Sequence, residues 1–126
     1  EELLQLQQIG LEYAENFEFK NVLFKHGDLV RKYAAYTAKG EFEKEGCSGA
    51  SGHTHRLGCH FTTKRGGSYC WIEGGCLCAL DAEYINGVAD WQHGLTQWTF
   101  EKEGHQFFPQ AIPIIDGKMI FDGELI

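Results

Sequence analysis

The sequence predicts an α+β domain that becomes β-rich after residue 57, and three observations predict it. Apolar or small side chains recur at positions 30, 33, 34, 37, 38 and 42 with charged residues between them, the one-sided stripe of an amphipathic helix. Beyond Leu57 the texture changes to short strand-like segments separated by glycine turns. With 126 residues, 43% of them hydrophobic and 23% charged, the chain has the balance of one globular unit able to bury a core. Residues 1–126 are accordingly read as a single domain.

Leu3 to Ile9 places apolar residues at 3, 4, 6 and 9 before Gly10, which predicts a short helix closed by a glycine. That helix begins without an N-cap residue, as a cut inside a longer protein would leave it. Phe17-Glu18-Phe19 alternates, Lys20-Asn21 turns, and Asn21 to Lys25 is a compact apolar run, so a strand pair ending at His26-Gly27-Asp28 is expected. The helical stripe then runs from Leu29 to Glu45, with Asp28 as its cap and Gly46 as its end. Cys47 to Ser51 is a small-residue run predicted to be a buried strand that delivers Gly52-His53-Thr54-His55 to a loop. Strands follow over 59–64, 68–73, 97–103 and 106–115. Asp116-Gly117 is a hairpin turn joining 112–115 to 118–121. No fixed-period repeat or low-complexity tract interrupts this order, and both halves are expected to share one sheet system.

A formal charge of -7 and a pI near 5.3 argue against a basic nucleic-acid surface, since such binding depends on Lys and Arg neutralising phosphates. A phosphate substrate would need metal ions to offset the repulsion. The longest apolar runs fall far short of the ~20 residues that span a bilayer, so no membrane partner is expected. The Glu1-Glu2 start does not read as a secretory signal. Five cysteines, an odd number, point to reduced thiols and a cytoplasmic location.

The pentapeptide Gly52-His53-Thr54-His55-Arg56 carries the chemistry. His26, His53 and His55 each fall at a predicted strand end or in the loop after it, where open α/β sheets gather functional groups, and all three are candidate metal ligands. Two metal ions ~3.5 to 4 Å apart can hold a hydroxide between them and clamp phosphate oxygens. Gly52 permits close backbone approach. Arg56 offers a planar donor fork suited to phosphate, against the plainer role of a surface arginine paired with a carboxylate. A structural zinc site from Cys47, His53, His55 and Cys59, with Cys76 and Cys78 in another, lacks the usual ligand spacing. Cys70, Cys76 and Cys78 read instead as small buried side chains in strands. Tyr33, Tyr36, Trp71, Trp91 and Trp98 read as core rather than base-stacking residues. His60, His93 and His105 read as surface or hydrogen-bonded histidines, with His93 a candidate for the site rim.

Phe24-Lys25-His26-Gly27-Asp28 and Gly52-His53-Thr54-His55-Arg56, with the helix and strand between them, resemble the last two metal-binding motifs of the calcineurin-like metallophosphoesterases. Gly75-Cys76-Leu77-Cys78-Ala79-Leu80, Tyr84 and Trp91-Gln92-His93-Gly94 are similar to the C-terminal region of phage and bacterial members, so the resemblance covers essentially the whole chain. It implies the C-terminal half of a four-layered αββα sandwich. It also implies that His26 and His53 ligate one divalent metal and His55 another, the pair being drawn from Mn, Fe, Zn or Ni. The implied reaction is hydrolysis of phosphate mono- or diesters by a metal-bridging hydroxide. The family's Asp-X-His, Gly-Asp and Gly-Asn-His motifs have no counterpart here, which implies an incomplete domain, weak activity alone, and an exposed sheet edge open to homo-oligomer formation. The alternative is a non-catalytic binding or assembly module with vestigial histidines.

Overall fold

A computed structural model describes residues 6–126. Leu6–Ile9 forms a 3₁₀ helix followed by Gly10 at φ 74°, while positions 3–5 of the expected helix lie outside the described residues. Strand β1 (Asn16–Phe19) and strand β2 (Val22–Lys25) form the expected hairpin, with Lys20 and Asn21 both at positive φ. This is the primed turn whose twist matches paired strands.

Helix α1 spans Tyr36–Glu45, which corrects the expected start at Leu29. The chain from Asp28 to Ala35 is not helical, and Ala35, not Asp28, stands at the cap with φ 66° and no side-chain cap bond. The physical reason is that this segment crosses the sheet. Gly58 lies beneath it so closely that a Cβ there would come 2.3 Å from the Ala35 nitrogen. The Arg31 N–H donates to Thr37 Oγ1 at 2.9 Å, a bond incompatible with a continuous helix. Val30 and Tyr33, counted in the apolar stripe, are exposed, whereas Thr37, Ala38 and Phe42 of the same stripe are buried. Asp28 instead pairs with Lys44 at 3.2 Å, and that hydrogen bond and charge hold its carboxyl below the usual range.

Strand β3 (Ser48–Ser51) is buried throughout, and strands β4 (Leu57–Lys64) and β5 (Gly67–Gly74) form an antiparallel pair. The five strands make one sheet in the order β1-β2-β3-β5-β4, parallel at β2/β3 and β3/β5 and antiparallel at the flanks. Strands β6 (Gly94–Phe100) and β7 (Phe107–Pro113) form a separate ribbon, which corrects the expectation that both halves share one sheet system. Asp116-Gly117 makes the expected turn, closed by reciprocal 2.9 Å bonds between Ile115 and Lys118, but the expected pairing of 112–115 with 118–121 stops at that single bridge. A further pair, β8 (Ile120–Phe121) with β9 (Glu124–Leu125), was not expected. Every strand from β4 onward follows Ser51, and the one α-helix among the described residues precedes it, so the chain is mixed α and β and β-rich in its second half.

Alternation along the strands sends one face of the sheet to the helix and the other to the ribbon. Leu23, Tyr69 and Trp71 pack with Ala38 and Phe42, whereas Phe24 meets Trp98 edge-on at 5.5 Å and Phe19 meets Phe100 at 4.8 Å. The molecule is therefore layered helix, sheet, ribbon. Trp71 is a core aromatic as expected and Trp98 is half-buried against Phe24; Tyr33 and Tyr36 are exposed.

Candidate metal centre

Adjacent parallel strands end together. Lys25 of β2 pairs with Ser51 of β3, so His26 and Gly52 leave the sheet side by side at the carboxyl ends of the strands. Gly52 N–H donates to the His26 carbonyl at 3.0 Å, extending the ladder by one bond, and the next residue is His53. The result is an exposed imidazole pair, with His53 Nδ1 3.2 Å from His26 Nε2 and the rings near perpendicular at 78°.

The loop that carries His53 and His55 is bent by its own backbone. Thr54 N–H closes on the Gly52 carbonyl at 2.7 Å around His53 at φ 62°, and His55 follows at φ 57°. Both are non-glycine residues in the left-handed region, a conformation that persists only where the surroundings enforce it. Here the enforcement comes from Thr54, whose buried hydroxyl donates to Glu73 Oε1 at 2.8 Å. Glu73 is 0% exposed and its other oxygen accepts the Ala38 N–H at 3.4 Å. One carboxylate from β5 thus serves the uncapped first turn of α1 and pins the histidine loop.

Behind the first histidine, Lys25 ion-pairs with Glu41 and Glu45, each at 2.6 Å. Burial pulls the Lys25 ammonium down, but the two carboxylates outweigh it and hold the pKa above its ordinary value. Gly27 at φ 84° brings the chain close against Glu41; a Cβ there would lie 3.0 Å from Glu41 Oε1.

His55 does not join the other two histidines in one ligand group. It faces Cys76 and Cys78: one ligand atom from each of the three lies within 4.8 Å of the others, and His55 Nδ1 is 3.7 Å from Cys78 Sγ. Among the described residues no other set of three His, Cys, Asp or Glu side chains is gathered this closely. Trp91 covers the His55 ring edge-on at 4.4 Å. Cys76 is 9% exposed, in keeping with expectation, but it makes an isolated bridge to His93 rather than a full strand. Burial, and after it the Cys78 thiol beside it, push the Cys76 thiol up. Cys78 corrects the expectation of a buried strand residue: it is exposed in an irregular segment, because the chain leaves the ladder after Cys76. His93 Nε2 lies 2.6 Å from the Cys78 carbonyl, which places it beside this group, where the sequence suggested a rim.

Arg56 takes the plainer of its two expected roles. Its Nε lies 3.3 Å from Asp90 Oδ2 and donates to the Asp90 carbonyl at 3.2 Å, while Nη1 bonds the Arg31 carbonyl. The guanidinium ties the 31 and 90 segments to the histidine loop. The buried Glu73 escaped sequence reasoning because a lone Glu in the middle of a strand pattern carries no signal; its partner Thr54, between two candidate ligands, was the available clue.

Comparisons with known proteins add one relative. The chain is 28% identical over 146 residues to the Gene 54 protein of Mycobacterium phage D29, covering 91% of this chain and 56% of that protein. The chain therefore spans little more than half the length of that relative. No family model and no solved structure matches it.

Proposed function

We propose that the chain is the C-terminal part of a metal-dependent phosphoesterase of the calcineurin-like type. The observation that carries the reading is the His26 and His53 pair, with nitrogens 3.2 Å apart at the ends of adjacent parallel strands. Imidazole nitrogens at that spacing can share an N–H···N hydrogen bond, and a divalent cation between them would instead take a lone pair from each. The layering of helix, sheet and ribbon is what half of a four-layered αββα sandwich would present, and the β2-α1-β3 unit supplies the strand ends. His26 and His53 are assigned to one ion and His55 to the second. Such ions supply a hydroxide nucleophile and stabilise charge on the phosphoryl oxygens. Arg56 braces the loop; its contact with phosphate would require release from Asp90.

Among the described residues no carboxylate joins His26 and His53 in a ligand group. A pair of doubly charged ions needs anionic donors against their mutual repulsion, so metal binding by this chain alone is weak and hydrolysis slow. The test is Mn²⁺ titration by calorimetry together with hydrolysis of bis(p-nitrophenyl) phosphate, on the chain and on the same chain extended upstream. We expect Mn²⁺ uptake that His53→Ala reduces, and Mn²⁺-dependent hydrolysis in the extended protein that the same variant abolishes. An extended protein that binds no Mn²⁺, or whose His26→Ala and His53→Ala variants match the parent, overturns the reading in favour of a binding module.

A further inference from the structure

We infer that His55, Cys76 and Cys78 form a thiolate site for a thiophilic divalent cation, with zinc the best match, separate from the His26 and His53 pair. The three side chains offer one nitrogen and two sulfurs within 4.8 Å of one another. Zinc binds sulfur at ~2.3 Å and imidazole nitrogen at ~2.0 to 2.1 Å, so tetrahedral geometry places the N and S donors about 3.6 Å apart. The observed His55 Nδ1 to Cys78 Sγ separation is 3.7 Å.

The donors are held in place before any ion arrives. Gly75 N–H bonds the Arg56 carbonyl at 2.8 Å, Gln92 N–H bonds the His55 carbonyl at 2.9 Å, and Cys76 N–H bonds the Gln92 carbonyl at 3.0 Å. One small junction of backbone bonds thus links the segments that carry His55 and Cys76 to the 92–94 segment. Gly75 at φ 71° makes the junction feasible, since a Cβ there would sit 2.9 Å from the Gln92 oxygen. His93 adds its contact to the Cys78 carbonyl, and Trp91 shields the imidazole on one side. Three protein donors with an exposed Cys78 leave a fourth position open to water, the pattern of reactive rather than purely structural zinc sites. Soft sulfur donors select against Mn²⁺ and Mg²⁺, so this site and the histidine pair draw on different ions. Binding through Nδ1 leaves the imidazole proton on Nε2, so His55 serves either this site or the second ion assigned above, not both at once.

The experiment is titration of the reduced chain with Co²⁺, which reports thiolate ligation by a sulfur-to-metal charge-transfer band in the near ultraviolet, followed by displacement with Zn²⁺. We expect a saturable band at one equivalent, abolished in the Cys76→Ser/Cys78→Ser protein, with each single variant weakening Co²⁺ affinity by at least about 100-fold, since even outer-shell losses cost 10- to 100-fold. Cys59→Ser is the control for the other close thiol pair, Cys59 and Cys70, whose sulfurs lie 3.3 Å apart; it should leave the band intact. His26→Ala and His53→Ala should also leave it intact, so loss of the phosphoesterase reading would not touch this one. Absence of any charge-transfer band in the parent, or its persistence in the folded double serine variant as judged by circular dichroism, overturns the proposal.

Discussion

Lys25 shows how one side chain can support a site without facing it. It sits immediately before His26, with its own side chain 8% exposed and Glu41 beside it at 1%. Removing the ammonium would strand a buried carboxylate, which typically costs about 3 to 5 kcal/mol. Lys25→Met is therefore expected to lower unfolding free energy by about that much, measured by urea denaturation at neutral pH. The pH dependence follows from the direction of the shift. The folded pKa lies above the ordinary 10.5, so the ammonium's contribution is complete below that value and fades as pH climbs through the folded one. The difference between parent and Lys25→Met should be flat from neutral pH to about 9 and shrink only above about 10.5. A difference that did not shrink above that pH would place the stabilisation elsewhere.

At the scale of elements, β3 is buried at every position. A Cβ at Gly49 would meet the Leu23 oxygen at 2.4 Å and the Trp71 ring at 2.6 Å, so the backbone and the indole leave no room for one. Gly49→Ala is expected to cost at least about 1 to 3 kcal/mol, the usual range for overpacking, read as a lower midpoint in thermal unfolding. The joint between elements is Glu73. Glu73→Ala removes charged acceptors from Thr54 and from the helix start, so a loss of about 2 to 3 kcal/mol is expected, along with weaker Mn²⁺ binding as the histidine loop relaxes. Glu73→Gln, which keeps one acceptor for Thr54, should recover part of the metal affinity. These contacts also explain what the sequence made legible. The β1-β2 hairpin, β3 and the Asp116-Gly117 turn were readable because turn chemistry and strand patterning are local. So was the placing of His26 and His53 at strand ends, whereas their pairing was only what the family resemblance implied. The helix start was not, because Val30 and Tyr33 fit the apolar stripe while the crossing over Gly58 that breaks the helix is a contact between distant segments. Nor was the company His55 keeps, because Cys76 and Cys78 reach it through a backbone junction that no spacing rule encodes.

For the whole molecule, the five-stranded sheet ends in β1 and β4, which pair with no further strand among the described residues. Strand β1 is exposed along its full length and carries Phe17 at 56% and Phe19 at 42% exposure, while β4 exposes Phe61. Open edges with aromatic side chains are templates for pairing with another strand unless charge or proline blunts them, and β1 has only Glu18 for that purpose. Opposing this is a net charge of -7, which makes two copies repel. The two effects respond differently to salt: strand pairing and aromatic burial survive it, whereas repulsion fades as the screening length falls from about 10 Å at 0.1 M toward 3 Å at 1 M. Sedimentation velocity should therefore show monomer at low salt and a concentration-dependent larger species as NaCl is raised. Phe17→Lys, which places a cation on the edge and removes an apolar anchor, should hold the chain monomeric across the same range. Association that weakens with salt would mean that charged patches, not the sheet edge, bring the copies together.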